Sequence, residues 1–414
     1  VACLGSVIAI GSVALTSPYA AAAGHPASSS SSSSGKGFFL ASQSKVSQIT
    51  SLQNPAAFAE DTNGNQHVIT TKQSKSASGN QGHFVYLTRR NGEQNWVKNN
   101  VPGLHPLSGG VQVQELVDSG RRIDAVFYTC AGVFVTDASS NSKRLPEPTQ
   151  ISTTTCGVAD GSKHSATSNG ATPASSQPID EPPIQHAIAL GGNTIGVLLP
   201  DPSQGGLPAI WSGEPGGSFT PGPALPTADS FVPVQIAVDP AQGTEYAVGT
   251  GVDANNSNRG IYVTTLPLFA TSWTDPVRIA TLKSTTENYK IEALTSFDSS
   301  TFVGLYRPNG DTTNPKNDLF FVHGLPSGEW GGITAVPHTT TEDRDLRLTI
   351  NTETGTLHAA WTRLDPKSQR GIMQDSRGDN GWTKPKVYTS HNNDVAEQIA
   401  FNLAGHAVIG FEQS

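Results

Sequence analysis

The chain has 414 residues, enough for one large repeat fold or for two to three ordinary domains. Charged residues make up only 14%, well under the usual share for a soluble protein, while glycine (42) and proline (28) are abundant; that mixture suits many short strands joined by turns. A net charge of −8, with no long run among the 26 basic residues, argues against a nucleic-acid-binding or anionic-membrane-binding surface.

The first stretch, Val1 to Ala23, reads as the tail of a secretory signal: an apolar segment from Val7 to Leu15, a break at Pro18, and the small residues Ala20 to Ala23 as a cleavage zone. Residues 24–36 follow as a linker built on the serines Ser28 to Ser34, which bury too little to order themselves. The expected location is therefore extracellular. No later segment has the ~18 uninterrupted apolar residues of a membrane span. Once Cys3 leaves with the signal, Cys130 and Cys156 remain, and two thiols in an exported chain are expected to pair.

From there the chain repeats a pattern with a period of about 50 residues, the spacing of propeller blades. Each copy opens with an apolar or alternating strand, a short polar turn and a second apolar strand. In chain order these are Ala56 to Ile69 around Asp61-Thr62-Asn63-Gly64, Val111 to Phe127 around Asp118-Ser119-Gly120, and Ile184 to Leu199 around Gly191-Gly192-Asn193. Gln235 to Asp239 turning into Tyr246 to Val248 comes next, then Ile291 to Tyr306 around Asp298-Ser299-Ser300. Leu346 to Asn351 turning into Leu357 to Trp361, and Gln398 to Asn402 turning into Ala407 to Phe411, complete the series. These turn residues tolerate positive φ, which gives the hairpin signal a backbone cause.

Behind six of the seven lies a second half: a β-branched or aromatic strand, a turn, and commonly a Trp followed by a Pro, as in Phe84 to Leu87 with Trp96 and Pro102, or Ile261 to Val263 with Trp273 and Pro276. The seventh first half runs out at the end of the chain, whereas Gly37 to Ile49 looks like a second half with nothing before it. Joining the two predicts an all-β, seven-bladed β-propeller over 37–414, closed by pairing N-terminal outer strands with C-terminal inner strands, which removes the open sheet edges.

In a four-stranded blade, the connections between the second and third strands and between successive blades emerge on one face, where a site is expected. Cys130 and Cys156 both fall there, as does a long Ser-, Thr-, Gly- and Pro-rich connection over 152–183, read as either disordered or a lid. Two successive connections are chemically richer. Asp343, Arg344 and Asp345 stand before one inner strand, and His391, Asn392, Asn393 and Asp394 before the next, with Tyr289 in the preceding connection. Such groups converging on a concave mouth suit sugar hydroxyls and an apolar ring face; a solvated polar rim is the plain alternative. Gln235, Arg347 and Gln398 hold equivalent places in three inner strands, either lining the channel or bonding neighbouring strands. Asp343 and Asp345 also admit a glycosidase reading, although a spacing of two in one loop is common in acidic loops.

No cofactor and no essential metal are expected. The oxygen-rich Asp61, Asn63 and Asn65 carry Gly64 where a hairpin needs it rather than where a calcium loop does, and no phosphate loop, nucleophile elbow or zinc-protease helix occurs.

The turns Ser376-Arg377-Gly378-Asp379-Asn380-Gly381-Trp382-Thr383, Asn91-Gly92-Glu93-Gln94-Asn95-Trp96 and Ser327-Gly328-Glu329-Trp330 resemble the Asp-box (BNR-type) turns of sialidase-like secreted bacterial propellers. The resemblance implies that these turns are structural and lie away from the site. Enzymes of that family use three arginines on a carboxylate, a Tyr–Glu pair and an acid/base Asp; here no Arg precedes Arg89 and the N-terminal Arg-Ile-Pro signature is missing, so that set does not map onto this chain. The expected function is a non-catalytic, lectin-like recognition module for glycans or cell-envelope polymers. A sialidase-like exo-glycoside hydrolase is the alternative, and a protein-binding scaffold the further one.

Overall fold

The computed structural model describes residues 57–412 apart from 62, 77–78, 94, 105–112, 119–121, 130–131, 139–143, 153–186, 192, 253–258, 283–288, 308–317, 326, 341–342, 365–370, 379–380, 388–394 and 402–406. The expected signal remnant and linker, Cys130, Cys156, and all but the first residue of the 152–183 connection lie outside the described residues.

The described residues form an all-β propeller of antiparallel sheets whose strands succeed one another outward from the centre. Blade one is Ala57–Glu60, Gln66–Ser76, Gly79–Arg89 and Val97–Asn100; blade two is Val113–Asp118, Ile123–Thr129, Gly132–Ala138 and Thr149–Ser152. Blade three is Ala187–Gly191, Thr194–Asp201, Leu207–Gly213 and Thr220–Ala224; blade four is Val232–Asp239, Thr244–Val252, Arg259–Leu266 and Val277–Thr281. Blade five is Lys290–Phe297, Ser300–Tyr306, Leu319–Gly324 and Thr334–Ala335. Blade six is Asp343–Ile350, Leu357–Arg363 and Gly371–Gly378, with Gly381–Trp382 and Lys386–Val387 both paired to the third strand.

This corrects the expected seven blades to six. The last repeat forms its two strands, Val395–Phe401 and Ala407–Glu412, but among the described residues they pair only with each other, giving a two-stranded ribbon rather than a four-stranded blade. Its first strand packs against the inner strands of blades six and one. The outer strands expected over 37–49 lie outside the described residues, and the closure expected from them does not occur among the described pairings.

The core consists of apolar layers between successive blades, because alternate side chains on a strand point to opposite faces and an interior blade buries both. In blade five, Leu294, Val303, Leu305 and Val322 pack toward blade four, while Ala293, Phe302, Leu319 and Phe321 pack toward blade six. Tryptophans serve these seams. Trp273 is buried against blade three and donates its Nε1–H to the Pro223 carbonyl at 3.1 Å, and Trp382 meets Phe321 of blade five edge-on at 5.7 Å.

Turn chemistry matches the local backbone. In blade one, Asp61 accepts the N–H groups of Asn63 and Asn65, and Gly64 takes φ +77°. In blade five the two-residue turn Asp298-Ser299 has positive φ at both positions, as the tightest hairpins require. Asp239 of blade four accepts the N–H groups of both Asp298 and Ser299, tying neighbouring turns together.

Four inner strands carry a one-residue bulge near their start: between Pro233 and Gln235, Ile291 and Ala293, Arg344 and Arg347, and Ala396 and Gln398. Gln235, Arg347 and Gln398 are each the first residue back in register, so their places are equivalent; blade five has Ala293 there. The bulges cluster on the face where inner strands begin, second strands end and third strands begin, opposite the hairpin turns.

Candidate functional site

On this face, the mouth between blades five and six brings together polar side chains of both blades. Blade five contributes Glu292 from its inner-strand bulge and Tyr306 from the end of its second strand; Arg307 and Asp318, opposite each other in the strand pairing, belong to the other face of the blade. Blade six contributes Asp343, Arg344 and Asp345 at the start of its inner strand.

Asp343 is wholly buried, and both oxygens of its carboxylate are engaged. Thr340 donates its backbone N–H and its hydroxyl, each at 2.9 Å; Trp361 donates its Nε1–H at 2.9 Å; and Arg363 approaches with Nε at 3.1 Å and Nη2 at 3.0 Å. Arg363 stands directly opposite Asp343 in the strand pairing and also donates to the His338 carbonyl. This carboxylate therefore anchors the connection into blade six.

The next two residues face outward. Arg344 is 46% exposed and Asp345 27% exposed, with Arg344 Nε 3.3 Å from Asp345 Oδ2. That contact is ionic without hydrogen-bond geometry, since Oδ2 is sealed from solvent yet has no hydrogen bond. Neighbouring side chains on a regular strand point to opposite faces. Here Asp345 adopts φ +58° within the bulge, a left-handed conformation that Asp tolerates better than most residues, and the two side chains meet. The bulge is held from the neighbouring blade: Glu292, itself buried, accepts the Leu346 N–H at 2.6 Å.

Tyr306 lies beside this pair with a half-buried ring. Burial raises its hydroxyl above the ordinary tyrosine range; Asp318, Glu292 and Asp345 raise it further, and Arg344 opposes them. Among the described residues the Tyr306 hydroxyl makes no hydrogen bond. On the other side of blade five, Tyr289 packs edge-on against Phe320 at 5.7 Å, while the buried Arg307 donates to its hydroxyl at 3.0 Å and lies 5.4 Å from its ring centre.

Of the residues expected from the sequence, Arg344 and Asp345 thus meet at the mouth, and Asp343 is an internal anchor beside them. Tyr289 flanks blade five. Arg347 sits on the opposite face of its strand from Leu346 and Leu348, away from the seam with blade five, and donates to the Leu346 carbonyl at 3.2 Å. His391, Asn392, Asn393 and Asp394 lie outside the described residues. Sequence reasoning missed Glu292 and Tyr306. The one available signal was Glu292, a charge interrupting an otherwise apolar inner strand.

Chemically, the mouth offers a guanidinium, part of a carboxylate, and a phenol hydroxyl with its ring on a rigid frame, which is a hydrogen-bonding set with apolar surface. The Asp-box-like turn of blade six lies on the opposite face. There Asp375 accepts from Thr383 Oγ1 at 2.6 Å and from the Ser376 N–H at 2.7 Å, and Thr383 N–H bonds the Ser376 carbonyl. Among the described residues no helix is long and apolar enough to cross a membrane.

No protein-family model matches the chain, and no curated protein matches it in sequence. Similar solved structures include an α-L-arabinanase of Penicillium chrysogenum complexed with arabinobiose (9% identity, TM-score 0.40, covering 84% of each chain). The Dos1 propeller is similar at 8% identity and TM-score 0.47, covering 86% of this chain and 90% of that one. An exo-β-1,3-galactanase of Phanerochaete chrysosporium with galactose has 11% identity and TM-score 0.36, covering 87% of this chain and 67% of that one. These likenesses are distant; the architecture rests on the strand order and packing described above.

Proposed function

We propose that this chain is an extracellular recognition propeller that binds glycans or cell-envelope polymers, without turning them over, at the mouth between blades five and six. The observation that carries the reading is the convergence there of the exposed Arg344–Asp345 pair and the unbonded Tyr306 hydroxyl. Sugars offer dense hydroxyls around a ring with apolar faces, and a mouth that supplies donors, acceptors and aromatic surface meets both requirements.

A hydrolase is the second reading, favoured by two carboxylates, Glu292 and Asp345, that meet at one bulge. Glycoside hydrolysis in its usual form needs one carboxyl group free to deliver a proton and a second free to attack or to activate water. Against it, Glu292 is committed to the Leu346 N–H and Asp343 to its four donor groups from Thr340, Trp361 and Arg363.

A glycan array run beside a panel of fluorogenic glycosides separates the readings. Binding without release of fluorophore, weakened by Arg344→Gln, is the expected result. Turnover establishes the hydrolase, and silence on both panels removes the glycan reading.

A further inference from the structure

Given a glycan site at this mouth, we infer that the Arg344–Asp345 pair reads two adjacent hydroxyls of one sugar ring. The inference rests on the proposed function and adds the feature of the ligand that is recognised.

Side by side, a guanidinium donates and a carboxylate accepts, and two neighbouring hydroxyls on one ring can each satisfy one of them. An ordinary strand cannot present adjacent residues this way. The bulge and the left-handed Asp345 make the presentation possible, and the Glu292 carboxylate fixes it from the next blade. Arg344 covers only Oδ2 of Asp345, so the other carboxylate oxygen and the remaining guanidinium N–H groups are left for a ligand.

The test is a glycan array, followed by titration of the tightest neutral binder and of its singly deoxygenated forms. The variants are Asp345→Asn, whose side chain tolerates positive φ and so keeps the bulge, and Arg344→Gln. Deleting either of two adjacent hydroxyls should weaken binding roughly tenfold, as should each variant. Binding that survives deletion of every single hydroxyl, or that Asp345→Asn leaves unchanged, overturns the inference while leaving the mouth as the site. Glycan binding that is indifferent to both Arg344→Gln and Tyr306→Phe overturns the site itself, and the inference with it.

Discussion

The carboxylate of Glu292, in the inner strand of blade five, accepts the main-chain N–H of Leu346, in the inner strand of blade six, at 2.6 Å. It is a charged bond from one blade to the bulge of the next. An analogous bond joins blades four and five, where Gln235 Nε2 donates to the Ile291 carbonyl at 3.4 Å. Polar residues of the channel mouth thus link neighbouring blades where the bulges have disrupted the regular ladder. Replacing Glu292 by Ala leaves the Leu346 N–H unsatisfied in a buried place and is expected to cost roughly 1–3 kcal/mol of unfolding free energy; Gln, whose oxygen still accepts, should recover part of it. Urea titration of the two variants measures the difference.

Asp343 and Arg363 make a stronger case. The carboxylate is fully buried and the guanidinium nearly so. Removing either partner strands the other, and Asp343→Ala or Arg363→Ala is expected to destabilise by roughly 3–5 kcal/mol. The double variant should lose clearly less than the sum, because the two residues share one network. Denaturant unfolding of all four proteins in the cycle tests this, and strict additivity would count against the anchor.

Glu245 gives a pH prediction. It lies between Val238 and Leu266 in the strand register and shares a strand face with Ala247, toward the apolar layer joining blades three and four. Among the described residues its carboxyl has no hydrogen bond or ion pair, and burial raises its pKa to about 6. A folded-state pKa above the ordinary glutamate value of 4.5 means that the folded chain holds this proton more tightly than the unfolded chain does. The associated stability is fully present below about pH 4.5 and is lost as pH rises through 6. Glu245→Gln, which cannot ionise, should therefore be more stable than the parent above pH 6, by at most about 2 kcal/mol, with the advantage gone at pH 4. Melting curves at the two pH values decide it.

The propeller was legible because alternation of period two, turn residues and a period near 50 residues are all local signals. The number of blades was not. Alternation marks Val395–Phe401 and Ala407–Glu412 as strands without naming their partners, and a hairpin looks the same whether or not outer strands complete it. Asp343 and Asp345 look alike in sequence, yet one is an internal anchor and the other faces the mouth. What separates them is the register that sets Asp343 opposite Arg363, together with the bulge that turns Asp345 outward. Tyr306 comes opposite Leu319, and Arg307 opposite Asp318, across a connection of which residues 308–317 are not described, so these proximities are products of strand pairing that no spacing in the chain encodes.

The position of a bound ligand decides whether the mouth between blades five and six is the binding site. A crystal structure of the protein soaked with the tightest-binding neutral oligosaccharide from the array should show one sugar ring over the seam between blades five and six, with adjacent hydroxyls on Arg344 and Asp345 and the ring near Tyr306. Density for that sugar on the opposite face, among the hairpin turns around Asp239 and Asp298, would contradict it.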